Sequence, residues 1–238
     1  MWRSATKSGG AYAQFGLRPA CQKPSQEGGC AVTKFVSPRL GLLAALVVVV
    51  AVGAATVGVA NAQATTYSGH ARPLSVTAFG AGVAIGDTGE LPSTGGSQSA
   101  SLTNLNVLGF VMVGVLQGTT SGSGTQSTSQ ASLLTVSIPI VGLTADVLKS
   151  SSMAQCNGTT PSVSGSSELV NVTVLGLPIS APTPNVAIVL PGGISVMLNE
   201  QTSSTSGTKG SITVNAIHVT GPGIDIVVSS AESDIDCS

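Results

Sequence analysis

Residues 186–198 read VAIVLPGGISVML, two short apolar runs joined by a Pro-Gly-Gly turn. Every second residue is apolar in both runs, a period that places the apolar side chains on one face of a β-strand. The alternating positions are Val186, Ile188 and Leu190 before the turn, and Ile194, Val196 and Leu198 after it. This pattern predicts a β-hairpin with one buried face.

The same alternation recurs along residues 63–238. It predicts buried faces at two further runs, Leu134, Val136, Ile138 and Ile140, and Ile224, Ile226 and Val228. Between Ser211 and Thr220 the phase changes at Ala216–Ile217, which indicates a bulge or a bend between two sheets. The run VLGFVMVGVL, residues 107–116, is apolar at odd and even positions, and we expect a central strand buried on both faces.

Clusters of Ser, Thr and Gly separate these runs, and no segment after Ala62 has a convincing helical period with caps. Many short strands with turn residues between them predict an all-β fold, an antiparallel β-sandwich or a related double sheet. A β-roll or solenoid is the alternative, although we find no fixed repeat period.

The N-terminal part differs from the rest of the chain. Residues 40–60 are apolar except for Thr56, with Lys34 and Arg39 before them and the small residues Ala60 and Ala62 after them. These features are typical of a secretory signal peptide cleaved between Ala62 and Gln63. We therefore divide the chain into an N-terminal extension with a signal peptide, residues 1–62, and a single exported β-domain, residues 63–238. The alternative is an uncleaved transmembrane helix, because about 20 apolar residues can span a bilayer.

Charge and aromatic content exclude several functions. Only 8% of residues are charged and 3% aromatic, and residues 63–238 contain three basic against nine acidic side chains, a net of −6. Nucleic-acid binding needs a basic surface, and stacking of sugars or bases needs aromatic faces. We therefore expect no nucleic-acid partner and no dedicated glycan site.

Two cysteines, Cys156 and Cys237, lie in the predicted exported domain. Neither belongs to a Cys-x-x-Cys motif or has a neighbouring His, so a metal or redox role is not indicated. In an exported chain two cysteines most simply form one structural disulfide.

Several short motifs suggest chemistry. Asp87-Thr88-Gly89 follows an apolar run, as in aspartic proteases, but no second Asp-Thr-Gly supplies the partner carboxylate, and we interpret Asp87 as a turn residue. Residues 91–95, LPSTG, match the sortase pentapeptide, but more than 140 residues follow them, and we predict a loop.

The histidines and the alternating acids give only weak indications of a chemical function. His218 lies in one alternating run with Ile212 and Val214, so we expect a packed or edge histidine rather than a general base; the other histidine of the domain is His70. Glu232, Asp234 and Asp236 alternate along the last predicted strand and could help to hold Ca²⁺, although such acids are usually only solvated.

Four segments resemble the choice-of-anchor P family of bacterial exported proteins. The two long blocks are residues 143–174 and 198–219, and the shorter ones are DTGELPSTGG, residues 87–96, and SSAESDIDC, residues 229–237. The resemblance implies that Cys156 and Cys237 are the family's cysteines and that LPSTG is an ordinary loop. Family members carry a C-terminal anchor after this domain. No anchor follows Ser238 here, so we expect free secretion or retention by the N-terminal segment.

The resemblance to this family implies no established activity and no catalytic residues. We expect a non-enzymatic β-domain, secreted or in the bacterial cell envelope, with a structural, adhesive or protein-binding role and no cofactor or metal. Its partner would be an extracellular or envelope protein, bound through sheet edges, with self-association included because few charges protect those edges. The alternatives are a carboxylate-dependent hydrolase that uses Asp87 and a β-domain that binds a small ligand in a cavity.

Overall fold

The computed structural model describes residues 65–107, 109–181 and 183–238. These residues form thirteen strands and one short 3-10 helix. The strands are β1 (Thr66–Ala78), β2 (Ala81–Ile85), β3 (Gly96–Val107), β4 (Val111–Ser123), β5 (Gln126–Ile138), β6 (Leu143–Asn157), β7 (Thr160–Val170), β8 (Thr173–Val174), β9 (Leu177–Pro178), β10 (Val186–Leu190), β11 (Ile194–Ser206), β12 (Lys209–Gly221) and β13 (Ile224–Asp236). The 3-10 helix, Pro139–Val141, connects β5 to β6.

The strands form two antiparallel sheets that pack face to face. The first sheet has the order β10-β11-β12-β13-β1-β2. The second sheet has the order β3-β4-β5-β6, after which β6 pairs with β7 along most of its length and with β8 near its start, and β8 pairs with β9. The predicted all-β sandwich is confirmed, and the sheets contain no solenoid repeat in the described residues.

The predicted hairpin at residues 186–198 is present. Strand β10 pairs with β11 so that Val186 lies opposite Leu198 and Leu190 opposite Ile194. In the last strand, Ile224, Ile226 and Val228 share the buried face as predicted. In both segments the observed faces match the predicted alternation.

The expectation for residues 107–116 is wrong. Val107 ends β3 and Val111 begins β4, with a turn between them in which Gly109 has a φ of 75°. Val113 and Leu116 face the core, whereas Met112 and Val115 are exposed. The run is continuous in hydrophobicity but crosses a hairpin turn, so it cannot form one central strand.

The predicted face of β5 is also partly wrong. Thr135 adopts a left-handed conformation with a φ of 55°, which reverses the side-chain phase. Leu133 therefore faces the core and Leu134 faces solvent, while Val136 and Ile138 are buried as predicted. Ile140 lies outside the strand, in the 3-10 helix, and is exposed.

This reversal is part of a line that crosses strands β3 to β6 of the second sheet, which we call the second-sheet crease. In the register of paired residues, one residue on each of four adjacent strands has no partner directly opposite. These residues are Asn104, Gly114, Thr135 and Asp146. Beside the crease, two consecutive residues of a strand face outward, for example Leu134 and Thr135. The outward neighbours of the crease form an apolar row, Val115, Leu134, Val147 and Val170, whose members are paired in register from β4 to β7.

A corresponding first-sheet crease confirms the predicted phase change at Ala216–Ile217. Its ladder passes over Asn199, Ala216, Ser229 and Pro73 on β11, β12, β13 and β1. Asn199 and Ser229 have φ values of 49° and 58°. Here the two consecutive residues of the same orientation face inward, as Ala216 and Ile217 do.

Two different interiors result. A large aliphatic cluster fills one end of the sandwich and includes Leu74, Leu116, Leu133, Leu148, Val196 and Ile226. Towards the other end the facing residues are small: Ser127, Ser129, Ala131, Ser150, Ser152, Ala231 and Ser233 are all buried. We call this second interior the serine layer.

Hydrogen bonds connect the two sheets across the serine layer. The hydroxyl of Ser150 lies 3.0 Å from that of Ser229, and the hydroxyl of Ser152 lies 2.8 Å from that of Ser233. Ser229 also donates to the carbonyl of Ala131 at 2.8 Å. Buried hydroxyls must be satisfied in this way, because an unpaired buried polar group is costly.

The disulfide between Cys156 and Cys237 is present, with the two Cα atoms 5.4 Å apart. It joins the end of β6, in the second sheet, to the residue after β13, in the first. Both cysteines pack with Tyr67, Leu91 and Ile235 in a second, smaller apolar cluster beyond the serine layer. The disulfide therefore fastens the two sheets at the end that has the smallest aliphatic core.

Candidate functional site

Charged side chains are concentrated on the outer face of the first sheet. Its strands carry His70, Arg72, Glu200, Lys209, His218, Asp225, Glu232, Asp234 and Asp236. The strands of the second sheet carry only Asp146, Lys149 and Glu168 as charged residues. The sandwich therefore has one acidic outer face and one that is almost uncharged.

A polar hollow of about 280 Å³ lies on the acidic face. Strand register creates it: His70 of β1, Glu232 of β13 and Thr213 of β12 form one row. The adjacent row contains Arg72 and Asn215, on either side of Ser230. The hollow therefore combines an imidazole, a guanidinium, a carboxyl and an amide within two rows of the sheet.

Glu232 is the most perturbed acid of this hollow. Burial raises its pKa above the usual range, and the neighbouring carboxyl of Asp234 acts in the same direction. His70, whose Nε2 lies 3.9 Å from Glu232 Oε2, and Arg72 oppose the shift only in part. Glu232 therefore holds its proton to a higher pH than an exposed glutamate does.

Asp234 lies beside Glu232 on the same face of β13. Its Oδ2 accepts a hydrogen bond from Ser68 Oγ at 3.1 Å, while its Oδ1 is buried without a hydrogen-bond partner. Asp234 also lines a second hollow, of about 500 Å³, with Asp236, Lys209 and Tyr67 among its other residues. Glu232 and Asp234 therefore separate two hollows along one strand.

His218 does not lie where the sequence pattern suggested. Because the phase reverses between Ala216 and Ile217, its ring faces outward, away from the core face of Ile212 and Val214. Its Nδ1 lies 2.9 Å from Glu200 Oε2, and its Nε2 lies 3.3 Å from Asp225 Oδ2. Asn215 Nδ2 donates to the same Glu200 oxygen at 2.6 Å. The sequence predicted a packed or edge histidine; His218 instead lies on the outer face of the central strand β12, held between two carboxylates.

Asp87 follows β2 and forms an ion pair with Arg72, with 2.9 Å between Asp87 Oδ2 and Arg72 Nε. Burial acts to raise its pKa, but the hydrogen bonds from Arg72 and from the Gly89 N–H, at 2.9 Å, outweigh burial and lower it. An aspartic-protease dyad requires a second carboxylate beside the first. The observed partner of Asp87 is instead a cation, and the residue shapes the turn as predicted.

The LPSTG segment is a loop, as predicted. Leu91 is buried in the smaller apolar cluster, and its N–H donates to the carbonyl of Gly69 at 2.9 Å. The N–H of Tyr67 donates to the carbonyl of Ser93 at 3.2 Å, and the N–H of Gly95 donates to that of Pro92 at 2.8 Å. The pentapeptide is therefore a loop fixed to the fold by Leu91 and by backbone hydrogen bonds, with Pro92, Ser93 and Thr94 exposed at its surface.

The three alternating acids Glu232, Asp234 and Asp236 do share one face, as the sequence indicated. However, β13 is a central strand, so these side chains are flanked by β1 and β12 and are partly buried. Within the described parts of the chain, no three His, Cys, Asp or Glu side chains meet in an arrangement that could hold a metal ion.

Sequence reasoning missed two features. The first is the partial burial of Glu232 and Asp234, because the sequence indicated their shared face but not that their strand is central. The second is β3, the outermost strand of the second sheet, which among the described residues pairs with β4 on one side only. Its signal was a segment, residues 96–107, without charge or proline.

The predicted cleavage site, Ala60, Ala62 and Gln63, and the apolar residues 40–60 lie outside the described residues. In the part of the chain that is described, no helix is long and apolar enough to cross a membrane. Searches of protein-family models, of curated proteins and of solved structures found no match to this chain.

Proposed function

We propose that this protein is a non-enzymatic, exported β-domain that is secreted or held in the cell envelope, where it has a structural, adhesive or protein-binding role. The observation that carries the proposal is the free edge of β3, which leaves a long row of backbone donors and acceptors unpaired by the described residues. Such edges are templates for the addition of another strand.

Export is supported by two features. Residues 40–62 have the composition of a signal peptide, and structural disulfides are typical of proteins in oxidising compartments. The resemblance to the choice-of-anchor P family is in agreement with this location.

Intact mass spectrometry tests the location. The full chain is expressed in a bacterial host, and the protein is recovered from the medium and from the membranes, with and without reduction. We expect a species that begins at Gln63 in the medium, two daltons lighter than its reduced form because of one disulfide. A full-length species found only in membranes would replace secretion with anchoring, and a reduced cytoplasmic protein would refute export.

A second candidate is a domain that binds a small polar ligand, and the hollow around Glu232 favours it. A carboxylate-dependent hydrolase is a related alternative, in which Asp87 was the expected acid. Native mass spectrometry of the recovered protein would detect a retained ligand, and Glu232→Gln should release it. Any hydrolysis that Asp87→Asn leaves unchanged would remove Asp87 from consideration.

A further inference from the structure

The edges of the two sheets differ in how they are protected. Strands β2 and β10 have five residues each and β9 has two, whereas β7 has eleven but contains Pro161 and Glu168. Short strands, proline and charge are the usual protection against edge-to-edge pairing. Strand β3 has twelve residues and none of these protections.

The face of β3 next to the core is also incompletely covered. Leu102 lies on the same side of the sheet as buried Leu116, its partner in register, yet it is 46% exposed. On the outer face, Ser97, Ser99, Ser101 and Thr103 present small hydroxyl-bearing side chains without charge. An added strand would cover Leu102 on one face and meet no charge on the other.

We propose that β3 pairs antiparallel with β3 of a second copy of this chain, which joins their second sheets into one continuous sheet. This inference rests on the proposed structural role and names its partner. The regular part of the strand, Gly96–Thr103, lies before the second-sheet crease at Asn104 and keeps one phase throughout. A two-fold axis at Ala100 places Leu102 opposite Gln98 of the second copy and Ser99 opposite Ser101, so every side chain meets one from the same face.

Charge distribution favours a second copy at this edge. The exported part has a net charge of −6, so two copies repel each other. Most acids lie on the outer face of the first sheet, whereas β3, β4 and β5 carry no charged residue. The β3 edge is therefore the long edge at which two copies meet with the least electrostatic cost.

Sedimentation analysis of the recovered protein across a dilution series tests the proposal. We expect the mass of two chains at high concentration. The double variant Ser99→Lys/Ser101→Lys brings lysines of the two copies directly opposite each other and should weaken association at least about tenfold, because like charges in paired positions repel. The matched control is Ser164→Lys/Ser166→Lys on β7, the other long edge of the same sheet, which should associate as the unmodified chain does.

Disulfide cross-linking between the two copies tests the proposed register of the β3 strands. Ala100→Cys places two thiols at the two-fold axis, and mild oxidation should link two chains through them, whereas Ser166→Cys should not. Circular dichroism checks that each variant keeps its β-structure. An unmodified chain that stays monomeric while it is exported and oxidised would overturn the pairing and leave the proposed function intact. A dimer that the β3 lysines do not weaken, or that the Ala100→Cys variant does not link, would also overturn it.

Discussion

Ser152 shows how little space separates the two sheets in the serine layer. Its side chain is buried, and its hydroxyl lies 2.8 Å from that of Ser233, which also donates to the Ser152 carbonyl at 3.2 Å. A serine pair of this kind allows a close approach that two branched aliphatic side chains would prevent. The small residues are therefore a requirement of the sheet spacing here.

Ser152→Val should destabilise the protein by about 2–4 kcal/mol, because it removes one buried hydrogen bond, worth about 1 kcal/mol, and adds bulk that costs about 1–3 kcal/mol. Ser151→Val, which changes the neighbouring residue on the outer face of β6, should have little effect. Urea unfolding of both variants measures the difference. Equal stabilities would show that the serine layer tolerates branched side chains.

Glu232 gives the stability a dependence on pH. Because its folded-state pKa is raised above the unfolded value, its contribution favours folding below about pH 4.5 and is lost as the pH rises through the folded pKa. Glu232→Gln cannot ionise, so the variant should gain stability relative to the unmodified protein as the pH increases from acid to neutral. Thermal unfolding at several pH values tests this, and a stability difference independent of pH would contradict the raised pKa.

At the scale of elements, the two creases explain which parts of the fold the sequence could predict. Apolar alternation predicted the β10–β11 hairpin and the phase change at Ala216–Ile217, because both are visible as spacings of apolar residues. It failed at β5, where Leu133 and Leu134 are equally apolar and only the backbone of Thr135 decides which of them is buried.

The site was less predictable than the fold for a related reason. Glu232 and Asp234 are partly buried because β13 lies between β1 and β12. That strand order depends on pairings between residues far apart in sequence, which the local pattern does not show. His218 moved to the outer face through the same phase reversal that the sequence revealed. The local sequence pattern therefore predicts the strands and their buried faces, whereas the neighbours of each acidic side chain are determined by the strand order.

Thr135 should be a strained position in β5. A β-branched residue with a φ of 55° pays about 1–2 kcal/mol, which exceeds the usual cost of about 0.5–1 kcal/mol for glycine in a strand. Thr135→Gly should therefore stabilise the protein slightly, by up to about 1 kcal/mol, whereas Ser132→Gly, on the same strand and outside the crease, should destabilise it. Urea unfolding of both variants measures the two changes in stability, and destabilisation by both would argue against strain at Thr135.

At the scale of the whole molecule, the disulfide should be the largest single contribution to stability. The two cysteines are 81 residues apart, and closing a loop of that length restricts the unfolded chain by about 4.5 kcal/mol in the chain-entropy estimate. A Cys156→Ser/Cys237→Ser double variant should lose a large part of this value in urea unfolding. Retention of full stability would show that the smaller apolar cluster holds that end of the sandwich without the bond.

The distribution of charge gives the sandwich two dissimilar outer surfaces. The acidic face carries the hollows around Glu232 and Asp234, and the nearly uncharged face carries the apolar row from Val115 to Val170. If β3 edges pair, both copies keep these surfaces free. One molecule can then associate through its edge and still present each face to other partners.

The place of β13 in the first sheet determines the order in which this fold can be completed. Strand β1 is among the first described segments to emerge from a ribosome or a translocation channel, yet its long partner is β13, which comes more than 140 residues later. Until then β1 and β12 have no strand between them, and Cys156 has no Cys237 to bind. Synthesis in the N-to-C direction therefore leaves the first sheet open until β13 arrives, and closure of that sheet and pairing of the cysteines become late, nearly simultaneous events.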